Sequence, residues 1–489
     1  MRFSEVLRLL SDVLLEWRMK GDPEIKNVEV HSFGVKEGDV FVCRKGEFFD
    51  SHNVAREVVD KGAKALICER EIEDVGVPVA IVSDSRMAEA ILAFEFYGHP
   101  YEKLLTFGVT GTNGKTTTVH MLHHVLQKLD MKGSIIGTVF NEIMGKREKT
   151  ENTTPGALYI ARAMKETLDR GGQYFLLEIS SHALAQKRVY SMKLDAAALM
   201  NVTRDHLDFH KNFEEYKRTK FTIFELLKSD GVGVINEEFF EEFKYKRFRK
   251  VFFGTNGEYR IYNVEVSLNG TRFVLEGPFG KREVVLPVIG EFNAQNATVA
   301  IAMLYELGFD VDEVISHLSS FPGVEGRMEK VKEAEKIGLK IFIDFAHSPD
   351  ALEKAITTAR KLLPEKGRVI VVFGAGGRAD KGKRKLMGRV VSELADVAIV
   401  TNDDPRGEDP QEIINDILEG IPPSKSPLVL EDRRSAIETA ITLAGKRDIV
   451  IIAGRGHEDL QVFGQGMEVP FKDAEVVKEL VVKKAGKKR

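Results

Sequence analysis

Thr110-Gly111-Thr112-Asn113-Gly114-Lys115-Thr116-Thr117-Thr118 is the stretch that decides how this chain reads. It follows an apolar run at 104–109 and precedes a helix-like segment at 119–129. A strand, a glycine turn and a helix N-terminus together make an anion site. Backbone N–H groups converge in the turn, the helix dipole adds positive potential, and the Lys115 ammonium reaches phosphate oxygens. Thr116 then stands where a hydroxyl can ligate Mg²⁺. The usual phosphate-loop pattern has a glycine five residues before Gly114, and Val109 stands there instead. The plainer alternative is an ordinary glycine turn before a helix, which the strand–turn–helix context and Gly-Lys-Thr argue against.

Outward from this turn the chain alternates β-rich and helical runs in three blocks. Residues 1–100 carry strands at 28–30, 39–42, 65–67 and 79–82 and helices at 54–61 and 85–96. Asn53 and Ser85 are the expected N-caps, and Gly98-His99-Pro100 closes the block. Residues 101–326 hold the phosphate loop, buried-strand candidates at 174–179, 196–200 and 231–235, and helices at 157–168 and 212–227. Within them, 259–286 alternates like antiparallel strands turning at Gly270 and Gly280, and a helix at 294–307 stops at Gly308. Residues 327–489 carry strands at 340–343, 369–373, 397–400 and 449–452 and helices at 351–363, 382–394 and 434–444. Strands alternating with helices imply parallel sheets covered on both faces. The expected fold is therefore α/β in three domains: an N-terminal α/β domain, a central P-loop sheet and a C-terminal Rossmann-like domain.

Composition narrows the class. An apolar content of 43% with 30% charged residues fits a soluble globular chain. No apolar run approaches the ~20 residues that a membrane helix needs. Residues 1–17 lack the basic start and cleavage site of a signal peptide and read as an amphipathic helix bearing Glu5, Asp12 and Glu16. Two cysteines, Cys43 and Cys68, are too few for a disulfide framework and fit a cytoplasmic chain. A net charge of −4 with interspersed signs gives no nucleic-acid footprint, and the basic tail at 483–489 reads as a solvated terminus.

Polar clusters follow most of the expected strands, where ligands of open α/β sheets bind. Glu178 ends one strand and offers the hard oxygen that Mg²⁺ prefers; as a bare strand-end residue it would be only a cap. His206, in Thr203-Arg204-Asp205-His206, follows another strand end. Asp344, in Asp344-Phe345-Ala346-His347, is placed to accept from ribose hydroxyls, whereas Asp350 suits an N-cap of the next helix. Three more loops, Gly374–Gly382, Asn402–Arg406 and Gly454–Glu458, combine glycines, carboxylates and Arg406. That mixture suits an amino-acid ligand, with Arg406 forking onto a carboxylate.

Taken in order and spacing, these stretches resemble the Mur ligases of peptidoglycan synthesis, the MurE type in particular. The carriers are TGTNGKTTT at 110–118, TTPG at 153–156, EISSHAL at 178–184, NVTRDHLDFH at 201–210, Thr219-Lys220, GEFNAQNA at 290–297, GRME at 326–329, DFAHSPDAL at 344–352, DKGKR at 380–384, DDPR at 403–406 and GRGHEDLQ at 454–461. The resemblance spans nearly the whole chain. It implies a UDP-substrate domain at 1–100, an ATPase domain at 101–326 and an amino-acid domain at 327–489. It further implies an ATP-dependent amide ligase that passes through an acyl phosphate and a tetrahedral intermediate. The partners would be UDP-N-acetylmuramoyl-L-alanyl-D-glutamate and a free amino acid, bound by a cytoplasmic monomer without nucleic acid or membrane insertion.

Carried over by motif, Thr110, Gly111, Thr112, Asn113, Gly114, Lys115, Thr116 and Thr117 would bind ATP, with Asn293 and Arg327 at the adenine and ribose and Asp344 on the ribose. Thr116 and Glu178 would hold one Mg²⁺ and His206 a second. Lys220 matches a lysine that the family carries as a carbamate, an anion with metal-binding oxygens; read from sequence alone it is an exposed helical lysine. Lys115, Lys220 and His206 would be catalytic. Ser32, Thr153, Thr154, Ser180, Gln186 and Arg188 would bind the muramoyl peptide, although the Asp and Arg that normally flank Ser32 are absent. Asp403, Asp404, Pro405, Arg406, Gly454 and Glu458 would bind the amino acid. Members that add meso-diaminopimelate tend to carry Asn where Asp404 stands and Arg where Ala379 stands. Losing an amide and a guanidinium while gaining a carboxylate favours a distal ammonium, so L-lysine is the expected acceptor. Meso-diaminopimelate, a folylpolyglutamate synthetase and a P-loop switch without an acceptor are the alternatives.

Overall fold

The computed structural model describes residues 1–46, 49–150, 152–464 and 466–486. The end of the basic tail, 487–489, lies outside the described residues. The chain has the expected three-domain α/β architecture with parallel-rich sheets. By compactness it divides into two units: Met1–Thr110, Leu129–Ala197 and Thr219–Gly233 form one, and Gly111–Lys128, Ala198–Arg218 and Val234–Arg489 the other.

In the first unit a five-stranded sheet runs in the order Leu14–Arg18, Val79–Val82, Ala65–Cys68, Asp39–Val42, Asn27–Glu29. All pairs are parallel except the first. The same unit holds the parallel trio in which Tyr174–Glu178 lies between Leu105–Thr110 and Gly133–Ile136. Every residue of Tyr174–Glu178 is buried, which is why its sequence is an unbroken apolar run ending in a carboxylate. Its register sets Glu178 beside Val109, at the strand end that opens into the phosphate loop.

The second unit contains a six-stranded sheet in the order Glu329–Lys330, Lys340–Asp344, Ile449–Ala453, Val369–Phe373, Val397–Val400, Leu428–Val429. Only the short first strand is antiparallel. Alternate strand residues feed two cores. Phe342, Val371 and Ile451 meet helices Pro349–Leu362 and Gly382–Leu394, while Ile343, Val372 and Ile452 meet Arg433–Leu443 and Asp473–Gly486. Burial on both faces leaves the polar strand ends as the sheet's chemical rim. Tyr259–Ser267, Gly270–Gly277 and Gly280–Leu286 form an antiparallel meander, as the glycine turns predict.

Several expectations need correction. The N-terminal segment is not one helix: Phe3–Leu9 is helical, and Leu14–Arg18 is an antiparallel edge strand against Val79–Val82. A distant strand offering backbone partners outweighs the local helical period. Asp84, not Ser85, caps Ser85–Phe96 by accepting from Arg86 and Met87, and Asp50, not Asn53, caps the turn before Ala55–Asp60. Ser348 rather than Asp350 caps Pro349–Leu362. The helix expected at 212–227 stops at Phe221 and continues as a 3₁₀ turn, Thr222–Leu226. Helices Val311–Leu318, Pro410–Leu418 and Asp473–Gly486 have no counterpart among the expected elements.

Ile451 is fully buried in the central strand, flanked by Phe342 and Val371. Ile451→Ala is expected to cost about 2–5 kcal/mol, seen as an earlier denaturant midpoint by circular dichroism.

Candidate active site

The phosphate loop joins the strand Leu105–Thr110 to the helix Lys115–Lys128. Gly114 has φ +93°, and a Cβ there would lie 2.6 Å from the Asn296 side-chain oxygen. Only glycine meets both conditions. Asn201 anchors the loop: its carbonyl accepts from Thr112 N–H and its side chain from Asn113 N–H, both at 2.9 Å. The Asn113 amide donates to Asp350 at 2.6 Å. Lys115 Nζ donates to the carbonyls of Gly111 and Thr112 at 2.8 and 3.0 Å, which holds the ammonium over the turn. Thr110, Thr116 and Thr117 are buried.

Residues far along the chain reach this loop. Arg327 donates to the Thr116 hydroxyl at 3.2 Å and stacks 4.5 Å above the Phe345 ring. Asp344 accepts from Met328 and Ala346 N–H at 2.7 and 2.8 Å. Burial pushes its carboxyl above the usual range, against the pull of Arg327. Asn293 is buried, donates to the Ile289 carbonyl at 3.0 Å and accepts from Asn296 at 2.9 Å. Asn296 therefore links Asn293 to the underside of Gly114. Asn201 and Asn296 escaped the sequence reading although both stand in quoted motifs.

His206 has φ +55°, and its Nε2 lies 3.7 Å from Asp205 Oδ2. Asp205 is buried and faces Lys383 at 3.4 Å and His347 at 3.8 Å, so two loops and the start of the helix Gly382–Leu394 meet there. Desolvation, with Lys383 adding to it, pushes the His347 imidazole down to about 4, so it is neutral at pH 7.

In the first unit Glu178 is fully buried, and Thr138 donates to it from its N–H at 2.8 Å and its hydroxyl at 3.0 Å. The Thr138 hydroxyl also lies 3.1 Å from that of Thr153. Thr154 donates to the Glu178 carbonyl at 2.7 Å and accepts from Ser180 N–H at 3.0 Å. Arg188 donates to the Thr154 carbonyl at 2.7 Å and forks onto Gln186. Five expected muramoyl-peptide residues, Thr153, Thr154, Ser180, Gln186 and Arg188, thus form one hydrogen-bonded group. Burial, with Arg86 and Arg44 nearby, lowers the Arg188 guanidinium's proton affinity. No motif marked Arg44, Arg86 or Thr138. Ser32 stands apart in the N-terminal sheet region, and the rings of its chain neighbours His31 and Phe33 stack on each other. Lys220 is only 1% exposed, contrary to its reading as a solvated helical lysine.

The loops expected to take the amino acid bring several charged side chains together. Asp403, Asp404 and Glu458 each offer an oxygen within 4.8 Å of the others. Asp404 does not stand free: Arg455, fully buried, pairs with it, Val462 N–H donates to it at 3.1 Å, and Arg406 lies 3.5 Å away. Asp404 is thus already flanked by two guanidiniums. Asp403 Oδ2 is buried and has no hydrogen-bond partner among the described residues. Burial and Asp404 raise the Asp403 carboxyl. Burial, then Asp403 and Asp404, push Glu458 up to about 8. A side chain at Gly454 would strike Asp403 Oδ2. Pro405 backs onto Gly377, whose N–H donates to the Asp404 carbonyl at 2.8 Å. Arg378 lies against Gly407, next to Arg406, and both arginines have φ +51°.

Residues 109–304 match the Mur ligase middle domain and 326–456 the Mur ligase glutamate ligase domain. The chain belongs to the Mur ligase family. It is 37% identical over 464 residues to the UDP-N-acetylmuramoyl-L-alanyl-D-glutamate–2,6-diaminopimelate ligase of Clostridium botulinum, covering 94% of this chain and 95% of that one. The enzyme of the same name from Aquifex aeolicus is 39% identical over 463 residues, with 94% of each covered. A solved structure of a ligase of that name superposes with a TM-score of 0.66 at 28% identity, covering 94% of this chain and 95% of that one. The ligase is thus an ATP-dependent enzyme of peptidoglycan synthesis. No helix among the described residues is long and apolar enough to cross a membrane.

Strain at a non-glycine left-handed position costs about 1–3 kcal/mol, so Gly114→Ala is expected to weaken ATP binding about 10–100-fold in a fluorescent-nucleotide titration while circular dichroism stays unchanged. A Glu458 carboxyl near 8 is neutral below that pH and anionic above it. Calorimetric affinity for an amino acid bearing an ammonium group should therefore rise as pH increases through 8, and Glu458→Gln should flatten the rise.

Proposed function

We propose that the ligase uses ATP to phosphorylate the terminal glutamate carboxylate of UDP-N-acetylmuramoyl-L-alanyl-D-glutamate and joins it to 2,6-diaminopimelate in the cytoplasm. A carboxylate is a poor electrophile. Its oxygen attacks the γ-phosphorus, ADP leaves, and the mixed anhydride now carries a phosphate leaving group. The acceptor amine adds to the acyl carbon, the tetrahedral intermediate expels phosphate, and the nitrogen loses a proton. Lys115 and the loop N–H groups balance charge on the transferring phosphoryl oxygens. Carried over by motif, Thr116, Glu178, His206 and Lys220, the last as a carbamate, would hold Mg²⁺, which when bound would neutralise phosphate charge. Thr153, Thr154, Ser180, Gln186 and Arg188 orient the muramoyl peptide, with Ser32 toward its uridine. Asn293, Arg327 and Asp344 take the adenosine end of ATP.

The single observation that supports diaminopimelate is the pair of guanidiniums, Arg378 and Arg406, at one turn near buried Asp403 and partly exposed Glu458. Diaminopimelate, held by one reacting amine, presents two carboxylates and one ammonium. The relatives' names support the same acceptor. The lysine reading keeps one specific support, Ala379 where an arginine would reach a distal carboxylate; Asp404 no longer counts toward it, being paired with Arg455.

The test is a coupled phosphate-release assay with mass analysis of the product, using the UDP-muramoyl dipeptide and a panel of amino acids. Faster ligation of meso-diaminopimelate than of L-lysine is expected, and the reverse ranking would overturn the choice of acceptor. Lys220→Arg, whose guanidinium does not form a carbamate, should lower kcat by about 100-fold or more while nucleotide affinity holds, as expected for a lost metal-binding anion.

A further inference from the structure

Arg433 makes contacts out of proportion to an unremarked residue. It opens the helix Arg433–Leu443, is 1% exposed, and points its guanidinium into the sheet's carboxyl-terminal rim. Nε and Nη2 fork onto the two oxygens of Asp473 at 2.8 and 2.7 Å. Asp473 is itself fully buried at the start of the last helix. Nη2 also donates to the Ala453 carbonyl at 2.9 Å, and Nη1 donates to the Asn402 carbonyl at 3.2 Å. The same Nη1 lies 4.0 Å from Asp403 Oδ2.

The two carbonyls matter because of their neighbours in the chain. Asn402 immediately precedes Asp403, and Ala453 immediately precedes Gly454. One guanidinium therefore grips the last peptide before each of the two loops that carry the candidate amino-acid residues. These loops rise from Val397–Val400 and Ile449–Ala453, strands that are not neighbours in the sheet, since Val369–Phe373 lies between them. No ladder hydrogen bond sets the distance between their ends. Arginine suits the task because its planar fork serves several acceptors at fixed angles, whereas a lysine ammonium at the same place would satisfy the carboxylate and lose one or both carbonyls.

We propose that Arg433 is a positioning residue for the amino-acid acceptor: it fixes the spacing between the Asp403–Arg406 and Gly454–Glu458 loops without touching substrate. This rests on the assignment of those loops to the acceptor. Among the described residues, the partners of Arg433 are Asp473, Ala453, Asn402 and Asp403, none of them in the nucleotide loop or the muramoyl-peptide group.

The test compares KM for three substrates in wild type and Arg433→Lys, with a thermal melt to verify folding. Misplacement of binding groups by a fraction of an ångström to an ångström carries penalties of one to two orders of magnitude, so KM for the amino acid should rise about tenfold or more. KM for ATP and for the UDP-muramoyl dipeptide should stay within about twofold. A purely structural role would lower the active fraction, and hence kcat, without separating the three KM values. Asp473→Asn, which removes the charge that aims the guanidinium, should shift the amino-acid KM in the same direction and serves if Arg433→Lys does not fold. An unchanged amino-acid KM, or an equal rise in all three, overturns the proposal. If wild type itself ligates neither diaminopimelate nor lysine, the acceptor assignment fails instead, and that result is visible before any variant is made.

Discussion

A loop that wraps phosphate must lie flat against whatever supports it, and that close approach shapes the whole nucleotide region. At Gly114 there is no space for a Cβ in front of the Asn296 amide, and the backbone is left-handed. The support behind the loop must therefore be shaped to it, and Asn201 and Asn296 supply that shape. Both come from segments remote in sequence, one after a buried strand and one inside the buried helix Phe292–Glu306. Arg327 and Asp350, from still further along, complete the cradle by bonding Thr116 and Asn113. The loop's own residues are thus only half of the site that they announce.

Charge burial shapes the acceptor end in the same way. Carboxylates on a strand-end rim are costly in the protein interior unless paired. Arg455 takes Asp404, and Arg433 takes Asp473 and leans toward Asp403. What remains under-compensated is Asp403 with Glu458, and the raised protonation of both carboxyls expresses that imbalance. Under the proposed acceptor assignment, an ammonium beside these carboxyls would favour their ionised forms.

Much of the fold was legible in the sequence. Buried parallel strands are continuous apolar runs, so Val369–Phe373 and Val397–Val400 were bounded correctly, as were Ser85–Phe96 and Gly382–Leu394. Elements decided by distant partners were not. Leu14–Arg18 has the local pattern of a helix and becomes a strand because Val79–Val82 lies beside it. Caps failed by a residue or two for a related reason: Asp84, Ser85 and Asp50, Asn53 are all capable caps, and only the backbone path selects among them.

The site divides along the same line. Residues with an intrinsic chemical signature, such as Gly114, Lys115, Glu178 and Arg406, stood out from spacing alone. Residues whose meaning lies in a partner did not. Lys220 reads as a solvated lysine until its burial is known, and Asp404 reads as a ligand for ammonium until Arg455 is found across from it. That asymmetry explains why the reaction class is easier to read from the sequence than the acceptor. Phosphoryl transfer requires particular residues at particular spacings in one loop. Choosing between a distal ammonium and a distal carboxylate depends on net charge in a pocket built from three loops, and swapping one residue there changes the outcome only after its neighbours have paired. Asp404 adds a carboxylate relative to asparagine, yet Arg455 pairs with it, so the charge that it presses on Asp403 and Glu458 is partly offset. The net charge around the DDPR turn is consequently set by pairs of residues, which single-residue comparison does not capture.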